Sequence, residues 1–216
     1  TTFPRMYSND EGRKHVTYYK YWAGINGDRK PTFGENLTYF FRYQVNHMYW
    51  RYFMWNFTGR QNDIQGFGLN HSNFDAESNG KKDVLNGNWI SGINFIDEMR
   101  LGPQSNLPAE MANNPGRNKL FFLPFILGIC GLVYQYKKDK KDTFVVFMLF
   151  FMTGFAIALY LNMPPQQPRE RDYAFAGSFY AFSIWIGLGV LALYAWIKKV
   201  KMPENVKAIG ITAVCL

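Results

Sequence analysis

Three long stretches without a charged residue dominate the hydrophobic pattern in the second half of the chain. They cover 120–136, 143–161 and 173–197, and a further apolar stretch covers 208–216. A membrane-spanning helix needs about 20 predominantly apolar residues. The pattern therefore predicts membrane helices over the three stretches and a truncated fourth helix over 208–216.

The strongest helical pattern in the first half covers 35–57. Large apolar residues recur there at steps of three and four, which is typical of one helix face; they are Leu37, Phe40, Phe41, Val45, Met48, Tyr52 and Phe53. Arg42, Asn46 and Arg51 fall elsewhere on the helical wheel. Aromatic rings mixed with arginines suit a helix at the membrane interface, and the alternative is a core helix of a soluble domain. We favour the interface because a membrane domain follows in the same chain.

Charge divides the chain into the same two parts. Residues 1–119 carry 14 Lys or Arg and 11 Asp or Glu, whereas residues 120–216 carry 10 and 5, almost all in three short loops. The mean hydropathy of −0.23 averages these unlike parts. The predicted fold class is mainly α: a polytopic transmembrane helical bundle over 120–216, preceded by an aromatic-rich extracytoplasmic, interfacial segment over 1–119.

Lysine clusters at alternate loops predict how the bundle is oriented. Four lysines lie in 137–142 and four more in 198–207. Short loops rich in Lys and Arg stay in the cytoplasm. We therefore expect 137–142 and 198–207 to be cytoplasmic, and 1–119 and 162–172 to be extracytoplasmic.

The loop over 162–172 offers the best candidate binding chemistry. From position 164 it reads PPQQPRERD, and prolines hold such a loop extended and non-helical. Arg169 and Arg171 could grip the phosphate of a lipid-linked donor, because the guanidinium fork matches phosphate oxygens. Glu170 or Asp172 could orient the arginines or take a proton. The alternative is a topological stop, in which these charges cap two helices and pair with one another.

Two weaker clusters lie in the first part of the chain. Asp97 and Glu98 form an acidic pair that could deprotonate an acceptor hydroxyl in a sugar-transfer site, and a solvated helix turn is the favoured alternative. Arg60, Asn62 and Asp63 could line a cleft at the membrane interface or form a helix C-terminal turn. The three histidines have no metal-ligand spacing, so no metal site is predicted.

Several motifs resemble a known family. They are YQ (43–44), HMYWRYFMWNF (47–57), GRQND (59–63), GNWISG (87–92) and QPRERDY (167–173). They look like the central region of large bacterial membrane proteins, long labelled a domain of unknown function and now grouped with protein O-mannosyltransferases. That family is similar to GT-C glycosyltransferases, which have many spans, extracytoplasmic loops and a polyprenyl-phosphate sugar donor. The resemblance extends over most of 1–200.

The resemblance implies an integral protein of the bacterial inner membrane that moves a sugar, with mannose as the first candidate, from a polyprenyl phosphate to Ser or Thr of exported proteins. The implied partners are the bilayer, the lipid-linked sugar phosphate and an exported acceptor protein, with no nucleic acid. No cofactor is implied with certainty, and the role of a divalent metal stays open. In GT-C enzymes the catalytic carboxylate usually lies in the first extracytoplasmic loop. Here that loop would precede Thr1, so we expect an internal piece of a longer protein whose catalytic base lies upstream.

Two other function classes remain open. A non-enzymatic scaffold or subunit could bind a larger envelope complex through the aromatic outer segment. A lipid-linked oligosaccharide flippase or transporter would instead depend on an ion gradient. Activity that saturates with a lipid-phosphate sugar would favour the enzyme, whereas stoichiometric co-purification without turnover would favour the scaffold.

Overall fold

The chain is mainly helical in the computed structural model, which describes residues 4–70, 80–169 and 171–198. This confirms the predicted fold class at the level of mainly α. Glu170, most of the 198–207 lysine loop and the helix predicted over 208–216 lie outside the described residues.

One continuous helix over 33–57 organises the first part of the chain. It comprises α2 (Phe33–Tyr39), a π-helix (Phe40–Trp50) and α3 (Arg51–Phe57), and α1 (His15–Ala23) precedes it. Thr32 begins it with a capping box, in which the Thr32 hydroxyl accepts the Glu35 N–H and the Glu35 carboxylate accepts the Thr32 N–H. Reciprocal bonds of this kind satisfy two backbone donors of the first turn. The predicted helix is confirmed and begins two residues earlier.

The π-helix changes which side chains of this helix are buried. Phe41, assigned to the apolar face, is 53% exposed, whereas Arg51, assigned to the other side, is 5% exposed. The predicted wheel assumed 3.6 residues per turn, and the wider i→i+5 winding of a π-helix shifts the phase of every later residue. The prediction of the apolar face was wrong at both positions, and the change of winding accounts for Arg51, which follows the π-helix.

The rest of the first part consists of short elements and irregular chain. β1 (Gly59–Arg60) pairs antiparallel with β2 (Asn118–Lys119). Between them lie α4 (Asn94–Leu101), a 3-10 turn (Gln104–Asn106) and α5 (Ala109–Ala112). Gly59 permits the strand pairing, because its φ is 143° and a Cβ there would lie 2.7 Å from the Asn118 carbonyl oxygen.

Two helical stretches in the second part are long and apolar enough to cross a membrane. The first, Lys140–Leu161, contains α7 (Lys140–Thr153) and α8 (Phe155–Leu161), with a break at Gly154. The second, Asp172–Ile197, contains a 3-10 turn (Asp172–Phe175) and α9 (Ala176–Ile197). They correspond to the stretches predicted over 143–161 and 173–197.

The helix predicted over 120–136 is shorter than expected. It is α6 (Leu123–Lys138), with 16 residues, of which the last two are lysines. Phe121 and Phe122 have left-handed backbone conformations, with φ of 52° and 60°, so a right-handed helix cannot include them. Because α6 falls short of the about 20 apolar residues that a span needs, it is not among the two candidate spans.

The predicted loop over 137–142 is almost entirely helical. Only Asp139 separates α6 from α7, and its Oδ1 accepts the backbone N–H groups of Lys141 at 2.7 Å and Asp142 at 3.1 Å. Asp139 is therefore the N-cap of α7, and the lysines on either side belong to helix ends. The sequence pattern was misleading because charged residues also populate the ends of helices.

Glycines let α6 and α9 pack with their backbones in contact. A Cβ on Gly131 would lie 1.8 Å from the Trp185 carbonyl oxygen, and one on Gly189 would lie 2.1 Å from the Leu127 carbonyl oxygen. Close approach through small residues is typical of helix pairs in membranes. Gly187, also in α9, has nothing within 4 Å of such a Cβ.

The 33–57 helix docks onto the chain that follows α8. The Tyr39 hydroxyl donates to the Met163 carbonyl at 2.8 Å, and the buried Gln44 amide donates to the same carbonyl at 2.9 Å and to the Asn162 side-chain oxygen at 3.1 Å. The Tyr49 hydroxyl lies 2.7 Å from the Ser178 hydroxyl of α9. These bonds bury one side of the 33–57 helix against α9 and the chain that follows α8.

Candidate functional site

A cation-rich pocket of about 470 Å³ opens beside the 33–57 helix. The helix supplies one wall, α1 a second, and the irregular chain before α4 most of the rest. The lining residues are Tyr21, Trp22, Arg42, Asn46, His47, Trp50, Arg51, Gly68, Leu69, Gly80, Lys82, Asn88, Trp89 and Arg100. We call it the cationic pocket, because these described residues include four cationic side chains and no carboxylate.

The π-winding places the pocket-lining side chains of the 33–57 helix on one face. In an α-helix, residues nine apart are two and a half turns apart and lie on opposite faces. In a π-helix, residues nine apart are about two turns apart and return to the same face. The wide winding persists through Arg51, whose backbone N–H donates to the Asn46 carbonyl. Arg42 and Arg51 can therefore line the same pocket.

Carbonyl oxygens and aromatic rings hold the cations in place. Arg51 donates to the carbonyls of His47 at 2.9 Å and Gly87 at 2.8 Å. The Arg100 guanidinium lies 3.3 Å from the centre of the Trp89 ring and donates to the Trp89 carbonyl. Lys82 donates to the Arg100 carbonyl at 2.9 Å. Such contacts orient a cation without neutralising its charge.

Burial lowers the pKa values of two of these cations. Burial, opposed by the weaker attraction of Asp97, lowers the pKa of Arg100 to about 10. Burial and then the charge of Arg100 lower the pKa of Lys82. None of the ion pairs formed among the described residues includes Arg42, Lys82 or Arg100. An anion bound in the pocket would offset the cost of desolvating the cations and would weaken the repulsion between them.

Tryptophan rings give the pocket flat apolar walls beside its charges. Trp22, Trp50 and Trp89 come from three different segments of the chain. Aromatic rings supply a large contact area of fixed shape, and a few polar groups set among such walls are typical of small-molecule sites. The pocket therefore suits a ligand that joins an anionic group to a ring or another flat apolar surface.

His47 lies beneath the pocket as a neutral imidazole. Burial, reinforced by the charge of Arg51, holds its pKa well below the ordinary value, and the bond to Gly66 opposes this more weakly. The ring nitrogen Nε2 is 3.2 Å from the Gly66 carbonyl oxygen. Because a carbonyl only accepts, Nε2 carries the proton.

Acid should destabilise the fold through His47. The unfolded chain binds a proton on His47 near pH 6.5, whereas the folded chain binds it only at lower pH, so stability falls as the pH drops below 6.5. We expect a loss of up to about 1.4 kcal/mol per pH unit. The measurement is the unfolding free energy in mild detergent between pH 7.5 and 5. His47→Gln keeps a donor toward Gly66 and should flatten this dependence, and an equal slope in both proteins would contradict the assignment.

The proline–arginine loop over 162–172 lies against the same helix. Arg169 lines a small cleft with Tyr43, His47 and Arg51, so His47 and Arg51 border both this cleft and the cationic pocket. The Arg169 guanidinium lies 5.8 Å from the centre of the Tyr173 ring. The loop is fixed by its backbone, since Gln65 donates to the Gln167 carbonyl at 2.8 Å.

The other members of the predicted arginine cluster have different surroundings. The Arg171 backbone N–H donates to the Tyr52 hydroxyl at 3.4 Å. Asp172 is exposed at the start of the 3-10 turn, where its Oδ1 accepts the Tyr173 N–H. Glu170 lies outside the described residues. Among the loop charges, the structure brings Arg169 to the cleft.

Asp97 has a structural position. Its buried carboxylate accepts the backbone N–H groups of Ser91 at 2.7 Å and Gly92 at 2.8 Å, and the Ser91 hydroxyl at 3.0 Å. These bonds fix the turn before α4, so this carboxylate already accepts three structural hydrogen bonds. Glu98 is exposed on α4 and does not line the cationic pocket.

The residues of the predicted cluster Arg60, Asn62 and Asp63 make separate contacts. The Arg60 guanidinium stacks 4.1 Å from the centre of the Trp55 ring. Asn62 is fully buried, where it donates to the Leu85 carbonyl and accepts the Gly87 N–H. Asp63 is exposed and accepts from Asn114. These three side chains hold the irregular segments together.

Sequence reasoning missed most of the cationic pocket. Lys82 and Arg100 come from irregular chain and a short helix, which spacing alone cannot bring together. One signal was available: residues 36–62 contain Arg42, Arg51 and Arg60 but no acidic residue. Arginines without local acidic partners on a helix are candidates for binding an anion.

Comparisons with known proteins add one finding. The model of a family of unknown function, DUF8416, matches residues 1–41. The matched region covers α1, α2 and the first residues of the π-helix, and it ends just before Arg42. No curated protein and no solved structure shows significant similarity to the chain.

Proposed function

We propose that this chain is part of a multi-pass glycosyltransferase of the bacterial inner membrane. It binds a polyprenyl-phosphate sugar, with mannose as the first candidate, and serves transfer of that sugar to Ser or Thr of exported proteins. The single observation that carries the proposal is the cationic pocket, in which four cations and three tryptophans surround a space of about 470 Å³. Phosphate meets the cations and the sugar ring meets the aromatic walls.

The position of the pocket supports a lipid-linked donor rather than a freely soluble one. The helix that supplies Arg42 and Arg51 also packs against α8 and α9, which belong to the two candidate spans. A carrier chain anchored among these helices could present its phosphate to the pocket. The motif resemblance to the O-mannosyltransferase-like family points to the same donor class.

The proposed orientation in the membrane is based on the lysines at the helix ends. Lys137 of α6 and Trp196 of α9 line one groove, so the lysine-rich end of α6 and the last turn of α9 lie together. By the positive-inside rule this end is cytoplasmic. The cationic pocket and the proline–arginine loop are then extracytoplasmic, where exported acceptors are available.

The alternative is a non-enzymatic donor-binding or scaffold subunit of a larger envelope complex. It is favoured by the engaged carboxylate of Asp97 and by the lack of any acid among the described residues of the cationic pocket. Sugar transfer needs a base for the acceptor hydroxyl. In the enzyme proposal that base comes from outside the described residues of the pocket.

The test combines donor binding with turnover. The full protein is purified in lipid nanodiscs and titrated with a short-chain polyprenyl-phosphate mannose, and transfer to a Ser/Thr-rich acceptor peptide is followed with labelled sugar. Saturable binding and donor-dependent transfer are the expected result. Binding without transfer, together with stoichiometric co-purification of an envelope complex, would replace the enzyme by the scaffold. Absence of binding would refute the donor site.

A further inference from the structure

Two apolar grooves flank α6 at a distance from the cationic pocket. One, of about 490 Å³, lies between α6 and α7 and is lined by Leu132, Val133, Phe144 and Phe147. The other, of about 570 Å³, lies between α6 and α9 and is lined by Ile129, Val133 and Leu193. Val133 lines both grooves, so they run side by side with a single ridge of α6 between them.

Both grooves reach the lysine-rich helix ends. Lys140 borders the first groove and Lys137 borders the second. Aromatic rings accompany both lysines: the Lys140 ammonium lies 5.4 Å from the centre of the Tyr136 ring, and Trp196 borders the second groove beside Lys137. Trp and Tyr at this level mark the headgroup region of a bilayer.

The charge at this end is positive. Residues 137–142 contain four lysines and two aspartates, and the Asp139 carboxylate is engaged as the N-cap of α7. A cation beside an apolar groove favours binding of an amphiphile with a negatively charged head group. Neither Lys137 nor Lys140 forms an ion pair with another described residue, and a purely apolar helix placed in these grooves would add no counter-charge.

We propose that one anionic diacyl phospholipid straddles the Val133 ridge. One acyl chain lies in each groove, and the phosphate lies between Lys137 and Lys140. Two grooves that share one ridge and end at two lysines match a molecule with two chains and one charged head. The inference rests on the proposed membrane placement and is independent of the donor site.

The test measures which lipids the protein retains. The full protein is extracted from membranes that contain equal amounts of phosphatidylglycerol and phosphatidylcholine, and the co-purified lipids are counted by native mass spectrometry. We expect phosphatidylglycerol to be retained about tenfold over phosphatidylcholine. The double variant Lys137→Gln/Lys140→Gln should lose this preference. Lys81→Gln/Lys119→Gln, a matched removal of two charges outside the candidate spans, should keep it.

A second variant tests the grooves rather than the charge. Val133 is 46% exposed, so Val133→Trp can fold while its ring fills the space on both sides of the ridge. It should lower retention of phosphatidylglycerol without changing the lysines. Glycerol 3-phosphate, the headgroup without chains, should not compete, and effective competition would reveal a bare anion site.

Different failures are distinguishable. Equal retention of both lipids, or an unchanged preference in the lysine double variant, would overturn the lipid site and leave the membrane placement intact. Occupation of the grooves by another helix of the protein would appear as retention of neither lipid in a bilayer-inserted protein. Absence of insertion into the bilayer would overturn both the placement and the lipid site.

Discussion

Replacement of Arg42 by glutamine should lower the affinity for a polyprenyl-phosphate sugar by about ten- to a hundredfold. Arg42 lines the cationic pocket and is exposed, and within the described part of the chain its side chain donates one long 3.3 Å bond, to the Trp22 carbonyl. Its loss therefore removes charge from the pocket with little effect on the fold. A hydrogen bond to a charged group contributes roughly 1.5–3 kcal/mol, and each 1.4 kcal/mol is about a factor of ten.

Two companion variants sharpen this result. Arg42→Lys keeps the charge and loses the planar fork, so it should lie between the wild type and glutamine. Arg13→Gln removes a cation that forms an exposed ion pair with Asp10 at 3.8 Å and does not line the pocket. Exposed pairs contribute about 0–1 kcal/mol to stability, so Arg13→Gln should fold normally. Because Arg13 does not line the pocket, this variant should bind the donor with unchanged affinity. Affinity is read by titration in nanodiscs, with protein abundance measured on the same samples.

Arg169 is the competing candidate for the residue that binds the donor phosphate. If Arg169→Ala lowers donor affinity and Arg42→Gln does not, the phosphate lies at the proline–arginine loop and the cationic pocket is not the donor site. If both lower it, the donor spans the pocket and the cleft, which share His47 and Arg51. Normal affinity in both variants would remove the donor from this face of the protein.

Gly131→Ala should prevent normal packing of α6 on α9. The added Cβ would meet the Trp185 carbonyl oxygen at 1.8 Å and the Gly189 nitrogen at 2.6 Å. Both partners are backbone atoms, so the helices must move apart and give up contacts along their length. Overpacking of this kind costs roughly 1–3 kcal/mol, and sometimes more. We expect loss of the monodisperse species in size-exclusion chromatography and a lower midpoint of unfolding in SDS.

Gly187→Ala is the matched control for this substitution. Gly187 lies in α9, and nothing lies within 4 Å of a Cβ built there. Alanine favours a helix over glycine by up to about 1 kcal/mol, so this variant should be neutral or slightly more stable. Equal behaviour of the two alanine variants would show that α6 and α9 do not pack closely in the membrane.

The sequence predicted the helices better than it predicted their faces and ends. The 33–57 helix was visible because its apolar residues recur at helical steps, but the face on which Arg51 lies depends on the π-winding before it. Periodicity analysis assumes a constant turn, so it cannot detect a change of winding inside a helix. The shortening of α6 likewise depends on the left-handed Phe121 and Phe122, which the apolar composition conceals.

The candidate site was harder to predict for a related reason. Arg169 could be singled out because its loop has a distinctive local sequence. Lys82 and Arg100 are placed in the pocket by tertiary contacts: Arg100 stacks on Trp89, and Lys82 donates to the Arg100 carbonyl. Asp97 looked like a free acid in the sequence, and only the three hydrogen bonds from Ser91 and Gly92 show that it is a structural carboxylate.

The docking of Tyr39 and Gln44 onto Met163 can form only late in the synthesis of the chain. The Tyr39 bond joins residues 124 positions apart. At about 5–20 residues per second, the ribosome takes on the order of 10 s to make the partner after Tyr39 is complete. Until then Tyr39 and Gln44 lack the Met163 carbonyl to which both donate. The 33–57 helix can therefore pack on α1 as soon as it is made, whereas its docking onto the second part of the chain has to wait until α6 to α8 are complete.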